Sequence, residues 1–163
     1  MIIDDIPGNL KIVHAALGNE YQLFFSTSGQ EALEIARAKR PHLVLLDIMM
    51  PDMDGYEVCR RLKSDAITSR ATILFLSSKD EIMDEVKGLM LGAADFILKP
   101  IDPTLLKVRV MGHIQRAMML QSLQDDKDQL QRRLTASIEL ARRAISGDSQ
   151  ALPQLLAMLQ GSE

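Results

Sequence analysis

The sequence predicts an α/β fold in which a five-stranded parallel, doubly wound sheet is followed by an extended C-terminal helix. Two observations predict the sheet. Leu43-Val44-Leu45-Leu46 is an aliphatic run without alternation, the habit of a strand covered on both faces by helices. Strand-like runs then alternate along the chain with helical patterns of about ten residues, which calls for right-handed crossovers between parallel strands. A third observation predicts the extension: from Thr104 to Ile145 no proline occurs and Gly112 is the one strong break.

Taken in order, Met1-Ile2-Ile3 is the first and very short strand, ended by Asp4 and Asp5. Leu10, Val13 and Leu17 recur at helical spacing, with Asn9 as the cap and Gly18 as the stop. Tyr21 to Phe25 is the second strand. Ala32, Leu33, Ile35 and Ala36 form the inner face of a helix over Gly29 to Lys39. Leu43 to Asp47 is the central strand, which Pro51 and Gly55 turn into a loop. Asp54 and Glu57 make a capping box for a helix over Gly55 to Lys63. Thr72 to Leu76 is the fourth strand, Asp80 to Leu91 the fourth helix and Asp95 to Leu98 the fifth strand. Asp102 caps the long helix and Pro103 opens it.

Composition bounds the function. With 163 residues, 47% of them hydrophobic and 25% charged, the chain can build one cored domain and a smaller unit. A net charge of −3 makes no general case for a nucleic-acid partner. The single cysteine, Cys59, cannot close an internal disulfide and fits a reducing compartment. No apolar run approaches the ~20 residues that span a bilayer, and no basic segment precedes an apolar one at the start. A cytoplasmic location with no membrane partner is expected. Asp52-Met53-Asp54-Gly55 echoes part of a calcium loop, but its first position would be Met50 and its twelfth Arg61, so that reading fails.

Ligands of open α/β sheets bind beyond the carboxyl ends of the strands. Four strands deliver Asp4-Asp5, Asp47, Ser77 and Lys99 to that edge. The order and spacing of Asp4-Asp5, Asp47 with Met50-Pro51-Asp52-Met53-Asp54-Gly55, Ser77-Ser78 and Lys99-Pro100 resemble the receiver domain of two-component response regulators. The resemblance covers residues 1 to about 106, and a receiver domain is assigned to 1–111 with a helical, coiled-coil extension at 112–163.

The resemblance implies a flavodoxin-like sheet with strand order 2-1-3-4-5. It implies Mg²⁺ held by Asp5, Asp47 and the backbone carbonyl of Met49, with Asp4 acting partly through water. Asp47 is then the phosphoacceptor, Lys99 the cation for one phosphoryl oxygen and Ser77 a hydrogen-bond donor to another. Ser77 and Phe96 form the expected switch: phosphate draws Ser77 toward the site and Phe96 rotates into the vacated space. The Lys99-Pro100 bond is expected to be cis, and Met49 and Lys79 occupy positions that tune dephosphorylation. The expected partner is a sensor histidine kinase or phosphotransfer protein, and the chain is a signalling switch, with no enzymatic activity beyond its own phosphorylation and dephosphorylation.

No receiver needs so long a final helix. Leu120, Leu123, Leu130, Leu134, Ile138, Ala141 and Ile145 follow threes and fours, with Lys127 in one seam position and a slip between Leu134 and Ile138. Such a stripe is expected to pair with its copy in a homodimer; a parallel pair would gather both receivers at one end. Pro153 to Leu159 is a short amphipathic segment. From Lys107 onward eight Lys/Arg face six Asp/Glu, so no direct nucleic-acid contact is expected. The segment Ile101 to Met119 resembles the connector of regulators that carry cyclic-dinucleotide enzymes, so the chain is read as a possible piece of a longer regulator. The other reading is a constitutive dimeric adaptor with a receiver fold that is not phosphorylated.

Overall fold

The computed structural model describes residues 1–78 and 85–160. Its strands are β1 (Ile2–Ile3), β2 (Phe25–Ser26), β3 (Leu43–Asp47), β4 (Thr72–Ser77) and β5 (Asp95–Leu98). They form one parallel sheet in the order β2-β1-β3-β4-β5, as the flavodoxin-like expectation required. The central β1 has two residues, yet it is held on both sides: Ile2 lies opposite Phe25 and Leu45. Met1 lengthens the pairing, since its nitrogen donates to the Leu43 carbonyl at 2.8 Å and its carbonyl accepts from Leu45 at 2.9 Å.

β2 is shorter than its aliphatic and aromatic residues predict. The Tyr21 N–H donates to the Leu17 carbonyl at 3.1 Å, so that residue belongs to the preceding helix end. Tyr21, Leu23 and Phe25 still pack against the core, and pairing with β1 begins only at the Phe24 carbonyl, which accepts from the Ile2 N–H at 2.8 Å.

Successive strand residues face opposite sides of the sheet, which gives two cores. Ile3, Val44, Leu46, Ile73 and Phe75 pack with Val58, Cys59 and Leu62. Ile2, Leu45, Leu74, Leu76 and Ile97 pack with Val13, Leu17, Leu106 and Val110. Each such side chain contributes on the order of 2 kcal/mol by leaving water.

The first five helices are α1 (Pro7–Leu17), α2 (Gly29–Lys39), α3 (Gly55–Ser64), α4 (Glu85–Met90) and α5 (Pro103–Ile145), of which α1, α3 and α5 supply those residues. Pro7 opens α1, three residues earlier than a cap at Asn9 would. Ser28 caps α2, and Asp54 accepts from the Glu57 N–H at 2.7 Å to cap α3. The capping box is half made, because Glu57 binds Arg60 and Arg61 instead of reaching back. The expected α4 start at Asp80 lies outside the described residues. Asp102 Oδ1 accepts from the Thr104 and Leu105 N–H groups at 2.8 and 2.9 Å, fixing the start of α5.

Two compact units are present, Met1–Ala117 and Met118–Glu163. In the second, Gly147 at φ +94° reverses the chain after α5, a conformation that costs glycine nothing. Helix α6 (Ala151–Gln160) then returns along α5, with Ala151 buried and Ser137 Oγ 3.7 Å from Met158 Sδ. α6 begins before the expected Pro153, which occupies the first turn where a missing N–H is harmless. No helix among the described residues is long and apolar enough to cross a membrane.

Candidate functional site

At the carboxyl ends of β1 and β3 the carboxylates of Asp4, Asp5 and Asp47 converge, with one oxygen of each within 4.8 Å of the others. The β1 ladder runs on to Asp4, whose N–H donates to the Ser26 carbonyl at 3.2 Å. Asp47 is the last residue of β3 and 4% exposed. The loop after it folds tightly: Gly55 N–H donates to the Ile48 carbonyl at 2.8 Å, and a Cβ on Gly55 would lie 2.2 Å from the Asp47 carbonyl oxygen. Only glycine fits there.

Lys99 reaches in from the end of β5. Its ammonium lies 2.8 Å from Asp47 Oδ2 and 3.1 Å from Asp4 Oδ2. Its backbone N–H donates to the Ser77 carbonyl at 2.7 Å, and the Lys99-Pro100 peptide bond is cis. Burial pushes the Asp47 carboxyl above its usual range, and the nearby Asp4 charge adds to this, while Lys99 and the Met49 N–H oppose it. Burial disfavours the Lys99 ammonium, but Asp47 and Asp4 outweigh it and raise its pKa.

The three acids are not equivalent. Asp4 is fully buried and already engaged: Oδ1 accepts from the Ile6 N–H at 2.9 Å and from Asn9 Nδ2 at 3.0 Å, and Oδ2 accepts from the same Asn9 amide at 2.9 Å. Asp5 is half-buried and sits at the rim. Hard carboxylate oxygens at this spacing suit a divalent cation such as Mg²⁺, and Asp5 and Asp47 have the freer oxygens to bind it.

Met49 lies on the exposed rim, with its N–H on the Asp47 carboxylate. Ser77 ends β4 and is buried; its hydroxyl donates to the Ser78 carbonyl at 3.1 Å. Phe96 is 9% exposed and stacked on Phe75, ring centroids 5.4 Å apart. Its motion would therefore be a repacking inside the core, with no entry from solvent. Lys79, expected to tune dephosphorylation, lies outside the described residues.

A family model described as the response regulator receiver domain matches residues 1–111. The chain belongs to the response regulator receiver family. This receiver is 38% identical over 131 residues to a probable cyclic di-GMP phosphodiesterase of Vibrio cholerae serotype O1, a match covering 80% of this chain and 30% of that protein. It is 36% identical over 124 residues to the response regulator PleD of Caulobacter vibrioides, covering 76% and 27%. Its fold matches the BeF3-activated N-terminal receiver domain of Klebsiella pneumoniae RstA with a TM-score of 0.63 at 33% identity, over 69% of this chain and 95% of that one. The chain spans less than a third of the first two relatives.

Three polar contacts of the receiver escape the sequence. Asn9, expected to cap α1, is the amide clamp on Asp4. Asp52, dismissed with the calcium-loop fragment, accepts from Ser28 Oγ at 2.8 Å and the Gly29 N–H at 2.9 Å, tying the β3–α3 loop to the N-terminus of α2. Asp95 binds Arg109 at 2.6 Å and His113 at 3.1 Å, joining β5 to α5. The spacing of Arg109 and His113, one helical turn apart, is the sequence signal for the last.

Proposed function

We propose that this receiver is a phosphorylation-driven switch acting in the cytoplasm, with Asp47 as phosphoacceptor. The observation that carries the reading is the convergence of a buried Asp47 with Asp4, Asp5 and the Lys99 ammonium at one sheet edge. An Asp47 carboxylate oxygen attacks phosphorus, a P–O bond forms, and the bond to the donor breaks; the donor is the phosphohistidine of a sensor kinase or phosphotransfer protein, whose imidazole leaves with the electron pair.

Asp5, Asp47 and the Met49 carbonyl would hold Mg²⁺, with Asp4 contributing through water, since its own oxygens are occupied by Asn9, Ile6 and Lys99. The cation would neutralise phosphoryl oxygen charge. Lys99, now on Asp47, would exchange that contact for one with a phosphoryl oxygen, and the Ser77 hydroxyl would turn from Ser78 to another. Phe96, stacked on Phe75, would repack as β4 shifts.

The output is a change in self-association through α5, and the chain is one piece of a longer regulator with a cyclic-dinucleotide output domain. The name of the Vibrio cholerae relative supports the output domain, and the greater length of both it and the Caulobacter vibrioides relative supports the longer chain. Light scattering with and without beryllofluoride plus Mg²⁺, on wild type and Asp47→Asn, tests the switch. A mass or affinity change confined to wild type is expected; identical behaviour in every condition would favour a constitutive adaptor and end this reading.

A further inference from the structure

Resting on the reading that α5 mediates a homodimer, we infer that two copies pair antiparallel, about a two-fold axis beside Leu134. From Leu123 onward the seam Leu123, Lys127, Leu130, Leu134, Ile138, Ala141 and Ile145 advances by four, three, four, four, three and four residues, so this part has the same spacing from either end; Leu120, ahead of it, would have its counterpart at Asp148, past the end of α5. At about 100° per residue, all seven fall within roughly 40° of the Leu134 direction. An antiparallel copy centred on Leu134 therefore sets Leu123 against the partner's Ile145, Leu130 against the partner's Ile138 and Leu134 against its own equivalent.

Lys127 decides between orientations. Antiparallel, it meets the partner's Ala141, whose methyl leaves room for the lysine stem to run out to water. A parallel pair in register would press Lys127 against Lys127 within the seam and leave Ala141 facing Ala141 across a gap.

The flanks agree. Arg142 and Asp128 project on one side of the seam, at about 80° and 120° from Leu134, and Asp126 projects at about 80° on the other. An antiparallel pair brings equal flanks together in reverse order, so Arg142 meets the partner's Asp128 twice. A parallel pair brings unequal flanks together at one level, so Asp128 meets the partner's Asp126.

The seam is open to receive a copy. Leu123, Leu130, Leu134, Ile138 and Ile145 are 55%, 68%, 59%, 51% and 87% exposed. α6 packs beside Ser137, where Leu140, Ala144 and the seam's own Ala141 are also partly buried, and leaves the five large seam side chains exposed. Leu152, Leu156 and Leu159 of α6 are exposed as well and widen the apolar surface that a copy would cover.

Cysteine cross-linking of the full chain tests this. The native Cys59 is buried and its thiol pushed up to about 11, so it stays inert. Oxidation of an equimolar mixture of Leu123→Cys and Ile145→Cys chains is expected to give linked dimers, and neither variant alone more than traces. Efficient linking of Leu123→Cys to itself in a dimeric sample would overturn the antiparallel pair while leaving the dimer standing. A monomeric mass for wild type, with and without beryllofluoride, would overturn both. The charge test has opposite signs for the two orientations. Asp128→Arg is expected to weaken dimerisation about fivefold, with Arg142→Asp in the same chain restoring it. Tighter dimerisation by Asp128→Arg alone would overturn the proposal.

Discussion

The Lys99 ammonium lies 2.8 Å from the Asp47 carboxylate while also touching Asp4 at 3.1 Å, so one cation holds two buried acids together. The phosphoryl transfer proposed at Asp47 and the stability of the sheet edge would thereby be coupled through a single side chain.

Lys99→Ala is expected to leave two buried carboxylates without their cation. Removing one partner of a buried charge group costs about 3 kcal/mol. Urea unfolding without divalent ions should show the loss, and Mg²⁺ should recover part of it. Phosphorylation by a small donor should slow about 100-fold, the scale for deleting one transition-state charge stabiliser.

Asp47→Asn should act in the opposite direction on stability. The raised folded pKa of Asp47 means its ionised form weighs against the fold at neutral pH. A neutral amide keeps an oxygen for Lys99 and removes repulsion with Asp4. Without divalent ions the variant is expected to melt higher, by about 3 °C for roughly 1 kcal/mol. The advantage should vanish as pH falls and wild-type Asp47 becomes protonated. Mg²⁺ should stabilise wild type and leave the variant nearly unmoved.

Gly55→Ala would put a methyl 2.2 Å from the Asp47 carbonyl oxygen, and backbone there has nowhere to go. A loss of about 3 kcal/mol is expected by thermal or urea unfolding, the upper end for forced overpacking. Phosphorylation should slow as well, because the displaced atom belongs to Asp47, the proposed phosphoacceptor.

Asp95 gives a pH prediction. Partial burial opposes ionisation, but the Phe96 N–H, His113 and Arg109 hold its carboxyl below the usual range. A lowered folded pKa contributes stability above the unfolded value of about 3.9, and that stability is lost as pH falls through the folded pKa. Asp95→Asn is therefore expected to cost about 1 kcal/mol at pH 7, discounted for partial exposure. Unfolding curves of the two proteins should converge as pH drops below the unfolded value.

What was legible in the sequence follows from how local the signals are. β3 announces itself because four consecutive aliphatics and a terminal Asp47 need no distant information, and the same holds for the caps Asp54 and Asp102. The site was legible because each of its members ends a strand, and a parallel sheet brings strand ends to one edge. β2 was not, since Tyr21 has strand propensity while its N–H is claimed by Leu17. Asn9 read as a cap because nothing local says that Asp4 lies within reach of its amide. The Asp95 cluster needed β5 and α5 to be docked before it existed. Phe96 likewise has its place decided by Phe75, on the neighbouring strand.

The most direct test of the account is phosphorylation of the full chain by acetyl phosphate with Mg²⁺, read by intact-protein mass spectrometry and peptide mapping. The account predicts one phosphoryl group on the peptide holding Asp47, cleaved by base and by hydroxylamine as an acyl phosphate is, which does not form when the metal is chelated beforehand or in Asp47→Asn. No phosphoryl group on wild type, or one that persists unchanged in Asp47→Asn, would contradict it.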